Sequence, residues 1–227
     1  MGEVETIGSR FVAAPGKCEV SALLLRPADA RWLLAFAHGA GAGMRHRFMA
    51  AMSAALAGVG IATFRYQFPY MEKNGRRPDP RATLVATVRA ALAEARQSAP
   101  DLPLLAGGKS MGGRMTSLAA AEAPLEGVRG LVFFGFPLHP AGSPAIERGA
   151  HLSRVTVPML FLQGERDQLA DPGLLRPLCA GLGERATLHV VPAADHSFHV
   201  LKRSGRTDAE VIAGLAATTA AFAARLT

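Results

Sequence analysis

The sequence predicts an α/β fold in which helices cover both faces of a mostly parallel central sheet of about eight strands. Two observations carry this prediction. First, short and almost entirely apolar segments alternate along most of the chain with segments of helical periodicity. Strands that are apolar on both faces are typical of parallel sheets covered by helices on each side. Second, the chain opens with two strand-like segments separated by Pro15-Gly16, which predicts an antiparallel hairpin.

The predicted strands are the apolar segments in chain order. The hairpin occupies residues 5–13 and 18–26, and the later strands occupy residues 32–37, 60–64, 102–107, 130–136, 157–163 and 187–191. Because parallel strands need long crossover connections, helices are expected between the later strands.

Apolar spacing and capping residues predict these helices. Residues 48–56 place methionine and leucine side chains at helical spacing. Asp79 and Pro80 form a predicted N-cap and first-turn pair before a second helix. Thr207 with Glu210 forms a predicted capping box before the last helix.

Length and composition favour a single domain over residues 1–227. Hydrophobic residues make up 49% of the chain and charged residues 19%, a balance typical of globular proteins rather than disordered ones. The formal net charge is +7, but the basic residues are scattered and no nucleic-acid motif accompanies them. We therefore expect no nucleic-acid partner. The oligomeric state is left open between monomer and homodimer.

Signals for targeting and for cofactors are missing from the sequence. The N-terminus has neither the basic start nor the apolar core of a secretory signal. The longest uncharged stretch, residues 211–224, is too short to span a bilayer. A cytoplasmic protein without membrane contact is expected. Cys18 and Cys179 have no metal-ligand spacing, and we expect no metal and no organic cofactor.

Ser110 is the candidate nucleophile. It lies at the centre of the pentapeptide GKSMG, directly after the apolar run of residues 102–106 and directly before a helix-forming stretch at residues 111–123. A GxSxG motif between a strand and a helix is typical of a nucleophile elbow, a sharp turn that exposes the serine hydroxyl at the end of the strand.

A serine hydroxyl needs a base to accept its proton and a third group to orient that base. Asp167 and His196 each follow a predicted strand, so with Ser110 they occur in the chain order of α/β hydrolases. All three lie past carboxyl ends of strands, where open α/β sheets build their sites. Asp195 is a weaker candidate for the acid, because it would have to curl back to meet the imidazole of its neighbour. Asp171, a predicted helix cap, and Glu165 are kept as further alternatives.

Other histidines compete with His196 for the role of base. His189 lies within a predicted strand and His199 leads away from the site, so both are interpreted as structural. His38 is expected to brace the loop that it begins. His139 lies in a proline-rich connection from which it can reach the pocket. His46 and His151 are the remaining histidines that compete with His196, and the sequence assigns neither of them a role.

Two backbone amides are expected to stabilise the oxyanion that forms when a carbonyl is attacked. One belongs to Met111, the residue after the candidate nucleophile. The other is expected to be the amide of Ala40, in the loop 38–43 of small residues, and Gly41 is the alternative donor. Gly41 is also expected to contact the substrate.

Substrate-binding residues are predicted around this centre. Arg65 ends a strand and is a candidate for binding an anionic substrate group, and Tyr66 begins a loop expected to cover the pocket. Lys109 and Arg114 flank Ser110, where they either favour acidic acyl groups or are solvated or paired with carboxylates. The connection 136–152 is too short for a large lid, so a shallow pocket and a preference for short acyl chains are expected.

The motifs as a set resemble a known family. They are the loop HGAGAGM, the stretch FRYQFPYMEKNGRRPD, the elbow GGKSMGGRM, the segment FPLHPAGSP and the turn QGERDQ. Together they are similar to a small dienelactone-hydrolase-like family of the α/β-hydrolase superfamily, which also includes a testis-expressed protein and a subunit of a nonspecific-lethal acetyltransferase complex. The resemblance covers nearly the whole chain and implies the α/β-hydrolase fold without a large lid. Dienelactone hydrolases carry a cysteine where this chain has Ser110.

The function expected from the sequence is that of a serine hydrolase. It would cleave a small-molecule ester or thioester, of carboxylesterase or thioesterase type, through an acyl-enzyme intermediate. Two alternatives remain open: a non-catalytic interaction module that keeps the fold, and an acyltransferase.

Overall fold

One sheet of eight strands organises the fold. In the described residues, 4–14 and 18–226, the computed structural model has the strand order β1-β2-β4-β3-β5-β6-β7-β8. The strands are β1 (Val4–Val12), β2 (Glu19–Pro27), β3 (Trp32–Ala37), β4 (Ile61–Tyr66), β5 (Leu104–Lys109), β6 (Val128–Phe134), β7 (Met159–Gly164) and β8 (Ala186–Val191). Strand β2 pairs antiparallel with both β1 and β4, and the other pairs are parallel.

Helices connect the parallel strands. They are α1 (Arg47–Ala57), α2 (Pro69–Glu72), α3 (Arg81–Ser98), α4 (Met111–Glu122), α5 (Pro172–Gly181) and α6 (Asp208–Ala224). Short 3-10 helices occur at Glu147–Arg154, Gly183–Arg185 and Lys202–Ser204. Among the described residues, no helix is long and apolar enough to cross a membrane.

The two faces of the sheet carry separate hydrophobic clusters. Side chains of α1 and α6 pack on the face that includes Leu34 and Phe36, whereas α3, α4 and α5 cover the face that includes Leu33 and Phe64. The alternation of neighbouring strand residues between the two clusters follows from the twofold period of a strand. Burial on both sides explains why these strands are almost entirely apolar.

The predicted fold class is confirmed, including the N-terminal hairpin, although its Pro15-Gly16 connection lies outside the described residues. The predicted capping box is also present, since Thr207 and Glu210 exchange side-chain and backbone hydrogen bonds. The prediction for Asp79 was wrong. Its carboxylate accepts from the Tyr70 amide at 2.8 Å, and Pro80 occupies the N-cap position of α3. The side chain is therefore used for a contact between segments.

Parallel strands bring their carboxyl ends to one edge of the sheet. Strand β3 leads into loop 38–43, β5 into Ser110, β7 into the turn that holds Asp167, and β8 into the loop that holds His196. Strands β3, β5, β6, β7 and β8 are consecutive neighbours in the sheet, so these segments lie side by side at the same edge. Within the described part of the chain, no large lid covers this edge.

Candidate active site

Ser110 occupies a strained turn between β5 and α4. Its backbone has φ 50° and ψ −116°, a conformation that is uncommon for a residue with a side chain. The turn is tight enough that a Cβ at Gly108 would lie 2.6 Å from the Ala37 carbonyl oxygen, so only glycine fits there. The result is the predicted elbow, with the serine at the N-cap of α4.

Three side chains form a hydrogen-bonded series. His196 Nε2 lies 2.9 Å from Ser110 Oγ, and His196 Nδ1 lies 2.7 Å from Asp167 Oδ2. The Asp167 side chain is fully buried, whereas His196 keeps 25% of its side-chain surface exposed. Because the carboxylate accepts the Nδ1 proton, Nε2 is left as the acceptor for the serine hydroxyl.

Asp167 is held in place by groups that sequence reasoning missed. Gln163, which is 1% exposed, donates through Nε2 to Asp167 and accepts the Phe136 amide at 2.9 Å. The Leu169 amide donates to the other carboxylate oxygen at 2.8 Å. The only sequence signal for Gln163 is that it interrupts an apolar strand, since buried polar side chains are normally hydrogen-bonded.

The alternative acids have other partners. Asp195 accepts the amides of Ser197 and His199 and so closes its own loop. Asp171 caps α5 by accepting the Gly173 amide at 2.7 Å, as predicted, and Glu165 accepts the Ala193 amide at 2.8 Å. Each carboxylate therefore shapes the backbone around the site.

His38 is buried and braces its loop, as expected. Its Nδ1 donates to the Gly39 carbonyl at 2.8 Å, and its Nε2 accepts the Phe68 amide at 3.1 Å. Burial lowers the pKa of His38 to about 4, so the imidazole stays neutral near pH 7 and keeps the tautomer that these bonds require.

A second serine–histidine pair lies elsewhere in the molecule. Ser117 Oγ is 2.7 Å from His151 Nε2, and the same hydroxyl donates to the Arg114 carbonyl at 2.8 Å. Ser117 is completely buried, and burial together with nearby arginines lowers the pKa of His151 to about 4. The hydroxyl proton is already used and no substrate reaches it, so this pair stabilises the packing of α4.

Two backbone amides near Ser110 are unpaired in the described residues, one in the loop after β3 and one at the start of α4. The Ala40 amide and the Met111 amide have no hydrogen-bond partner among the described residues. The Gly41 amide, by contrast, donates to the Tyr70 hydroxyl at 3.0 Å. Gly41 therefore serves to hold the loop, which leaves Ala40 and Met111 as the free pair of donors.

Three residues predicted to bind substrate lie away from the pocket. Tyr66 is 2% exposed and its ring packs against Phe11 and Phe68 in the core. His139 is 3% exposed, with Nδ1 donating to a carbonyl and Nε2 accepting the Asp171 amide. Both are corrected to structural roles, because their polar atoms are buried or already paired.

Arg65 is also buried rather than presented to a substrate. It is 6% exposed, and its Nη1 donates to the Met44 carbonyl at 3.3 Å, which supports the loop after β3. Burial and the nearby charge of Arg45 lower its pKa. Its position beneath this loop explains why a basic residue at a strand end does not reach the pocket.

A pocket of about 950 Å³ opens beside Ser110, between the first turns of α1 and α6. Its walls are largely apolar, formed by Phe48, Met49, Leu169, Phe198 and Ile212. His46, Arg47, His199 and Asp208 line its outer part, and His199 Nδ1 pairs with Asp208 at 2.9 Å. No cluster of three or more metal-ligating side chains occurs in the part of the chain that the structure describes.

A mostly parallel eight-stranded sheet with a serine on the strand-to-helix turn after β5 defines the class as an α/β hydrolase. The sequence agrees with this assignment. The chain belongs to the α/β-hydrolase family, since residues 30–224 match the family described as Alpha/beta hydrolase domain.

Solved structures of other hydrolases share the fold. A dienelactone hydrolase from Anabaena variabilis ATCC 29413 matches with a TM-score of 0.72 and 21% identity, covering 96% of this chain and 95% of that chain. An α/β serine hydrolase without a lid from Xanthomonas campestris matches with a TM-score of 0.71 and 23% identity, covering 93% and 92%. A cold-adapted esterase from an Arctic intertidal metagenomic library has a TM-score of 0.67 and 21% identity, covering 96% and 93%. The narrower family membership predicted from the motifs stays a prediction.

Proposed function

We propose that the protein is a serine hydrolase that cleaves a carboxylic ester or thioester through a Ser110–His196–Asp167 catalytic triad. The observation that carries the proposal is the continuous series of hydrogen bonds, 2.9 Å from Ser110 to His196 and 2.7 Å from His196 to Asp167. These lengths lie within the range at which a nucleophile and its general base exchange a proton.

In the proposed reaction, Ser110 Oγ attacks the carbonyl carbon while His196 Nε2 accepts the hydroxyl proton. The tetrahedral intermediate collapses when His196 returns that proton to the departing alcohol or thiol, which leaves an ester on Ser110. Water then attacks this acyl-enzyme with His196 again as base, and the carboxylic acid is released. Asp167 stays ionised throughout and stabilises the imidazolium that forms in each step.

The oxyanion of each intermediate is proposed to bind between the amides of Ala40 and Met111. The Met111 amide is the first of α4, where the helix dipole adds positive potential. The Ala40 amide belongs to a loop held by Tyr70 and His38, so the donor is oriented before the substrate arrives. Donors of this kind are each worth about 10²- to 10³-fold in kcat.

The substrate is proposed to be a small ester with a short acyl chain. The apolar pocket beside Ser110 is wide and partly open to solvent, whereas a fatty acyl group is bound best by an enclosed apolar cavity. We expect acetate and butyrate esters to be cleaved faster, in kcat/KM, than esters of twelve carbons or more. A higher kcat/KM for the long-chain esters would contradict this part of the proposal.

Labelling with a fluorophosphonate probe tests the triad, because the probe reacts with an activated serine. We expect the wild type to be labelled and Ser110→Ala to be silent. Ser117→Ala is the matched control, since that serine also contacts a histidine but is buried; its labelling should equal that of the wild type.

The outcomes separate the competing functions. A wild type that labels no better than Ser110→Ala, and that hydrolyses neither the short-chain nor the long-chain esters, would favour a non-catalytic interaction module. Labelling with transfer of the acyl group to an added alcohol or amine in preference to water would identify an acyltransferase, which product analysis detects.

A further inference from the structure

Lys109, the residue before Ser110, is buried beside the site. It is only 9% exposed, although lysine side chains are almost never fully buried unless they are paired. Its Nζ donates to the backbone carbonyl of His196 at 2.6 Å. The sequence predicted that Lys109 either favours acidic acyl groups, is solvated or pairs with a carboxylate. Its ammonium group instead binds the peptide carbonyl of the histidine.

Two aromatic rings enclose the ammonium group. Lys109 Nζ lies 5.7 Å from the ring centroid of Phe48 and 5.5 Å from that of Phe198, and these two rings stack at 5.8 Å. Cation–π attraction operates over such distances. The lysine thus joins the end of β5 to the start of α1 and to the loop that carries His196.

The contacts of Lys109 and Ser110 form a closed ring. Ser110 Oγ bonds to the imidazole of His196, the His196 carbonyl bonds to Lys109 Nζ, and a peptide bond returns from Lys109 to Ser110. This ring limits the relative movement of the Ser110 hydroxyl and the His196 imidazole. A shift of either the imidazole or the backbone carbonyl of His196 would break one of the two hydrogen bonds.

The loop after β8, which carries His196, contains two residues with strained backbone conformations. Ala193 and Phe198, on either side of His196, both have positive φ, at 60° and 64°, and non-glycine residues in this region store strain. Gly135, the residue that follows β6, leaves the space that the Lys109 ammonium group occupies. A Cβ there would lie 2.9 Å from Lys109 Nζ and 3.3 Å from His196 Nδ1.

We propose that Lys109 is a positioning residue for the hydrolase reaction, holding the His196 carbonyl so that the imidazole stays aligned with the Ser110 hydroxyl. The inference rests on the proposed function, because the alignment matters only if His196 is the base. Burial destabilises the charged form of this lysine and lowers its pKa to about 8. The negative charges of Asp167 and Asp195 act in the opposite direction and raise the pKa, but burial has the larger effect. A buried charge that is retained at such a cost suits a role in the site better than a role in stability.

A double-mutant cycle between Lys109 and His196 tests the proposal. Lys109→Met keeps the apolar stem between the two rings and removes the donor and the charge. We expect kcat on a short-chain ester to fall about 10- to 100-fold with KM changed less than twofold, as for a small misplacement of a reacting group. In the His196→Ala background the same substitution should change the residual rate less than twofold, because the lysine acts through the histidine. Lys73→Met, an exposed lysine outside the pocket, is the control.

Equal effects of Lys109→Met in both backgrounds, or a fall explained entirely by loss of folded protein in denaturant titration, would overturn the proposal. Lys109→Leu, which also removes the donor and the charge, takes its place if Lys109→Met does not fold. The Nδ1 proton resonance of His196 provides a readout that needs no turnover. It should shift or broaden in Lys109→Met and stay unchanged in Lys73→Met, and an unaltered resonance in both would overturn the proposal. If the wild type is inactive while this resonance responds as expected, the proposed function fails and the positional contact stands.

Discussion

Gly112 offers a sharp test of how closely the start of α4 must approach the loop after β3. It is the second residue of α4, and a Cβ added there would lie 2.6 Å from the carbonyl oxygens of both Ala37 and His38. Both contacts are with backbone, which cannot rotate away as a side chain would. Gly112→Ala must therefore push the helix and the loop apart.

The expected cost follows from this geometry. Inserting a methyl group into a packed site typically destabilises a protein by about 1–3 kcal/mol, and two backbone clashes place Gly112→Ala at the upper end of that range. The displaced segments carry the Met111 and Ala40 amides, so the two proposed oxyanion donors would separate as well. We expect kcat to fall about 10- to 100-fold, comparable to the loss from a small misplacement at a catalytic centre.

Gly214→Ala is the matched control, because it makes the same substitution within a helix. A Cβ at Gly214, in α6, would meet only Arg206 Nη2 at 3.8 Å, so helix propensity should raise the free energy of unfolding by about 0.5–1 kcal/mol. Equilibrium unfolding in guanidinium chloride and hydrolysis of a short-chain ester measure both variants. A Gly112→Ala protein as stable and as active as the wild type would refute the reasoning.

Two further predictions concern the polar groups of the site and the core. Asp167→Asn should lower kcat by on the order of 10³- to 10⁴-fold with little change in KM, because an amide favours the wrong tautomer of His196; steady-state kinetics would contradict this if kcat fell less than tenfold. Stability should also decline as the pH falls from about 6.5 towards 4. The pKa values of His38 and His151 are lowered to about 4 in the folded state, so the unfolded chain binds their protons first. Each contributes a loss on the order of 3 kcal/mol, and an unfolding free energy that is equal at pH 7 and pH 5 would contradict the assignment.

Local sequence patterns were sufficient for the fold class and for the location of Ser110. A strand that is buried on both faces must be apolar throughout, and a sharp turn before a helix requires glycines around the serine. Both features therefore appear as patterns of consecutive residues. The capping box of Thr207 and Glu210 is readable for the same reason, since its partners are three residues apart. The chain order of Ser110, Asp167 and His196 could be predicted because each follows a strand.

The roles that escaped prediction depend on contacts that form only in the folded chain and leave no pattern in consecutive residues. Whether Tyr66 faces a pocket or the core depends on which distant helices cover its side of the sheet. Asp79 is drawn away from its cap by the Tyr70 amide, and Lys109 is buried because Phe48 and Phe198 close over it. Burial and hydrogen-bond partners are properties of the assembled fold, where segments tens of residues apart come within a few ångströms. A short segment of sequence predicts the secondary structure of its own backbone. It does not predict which residues will surround a polar side chain in the folded protein, and those residues determine its role.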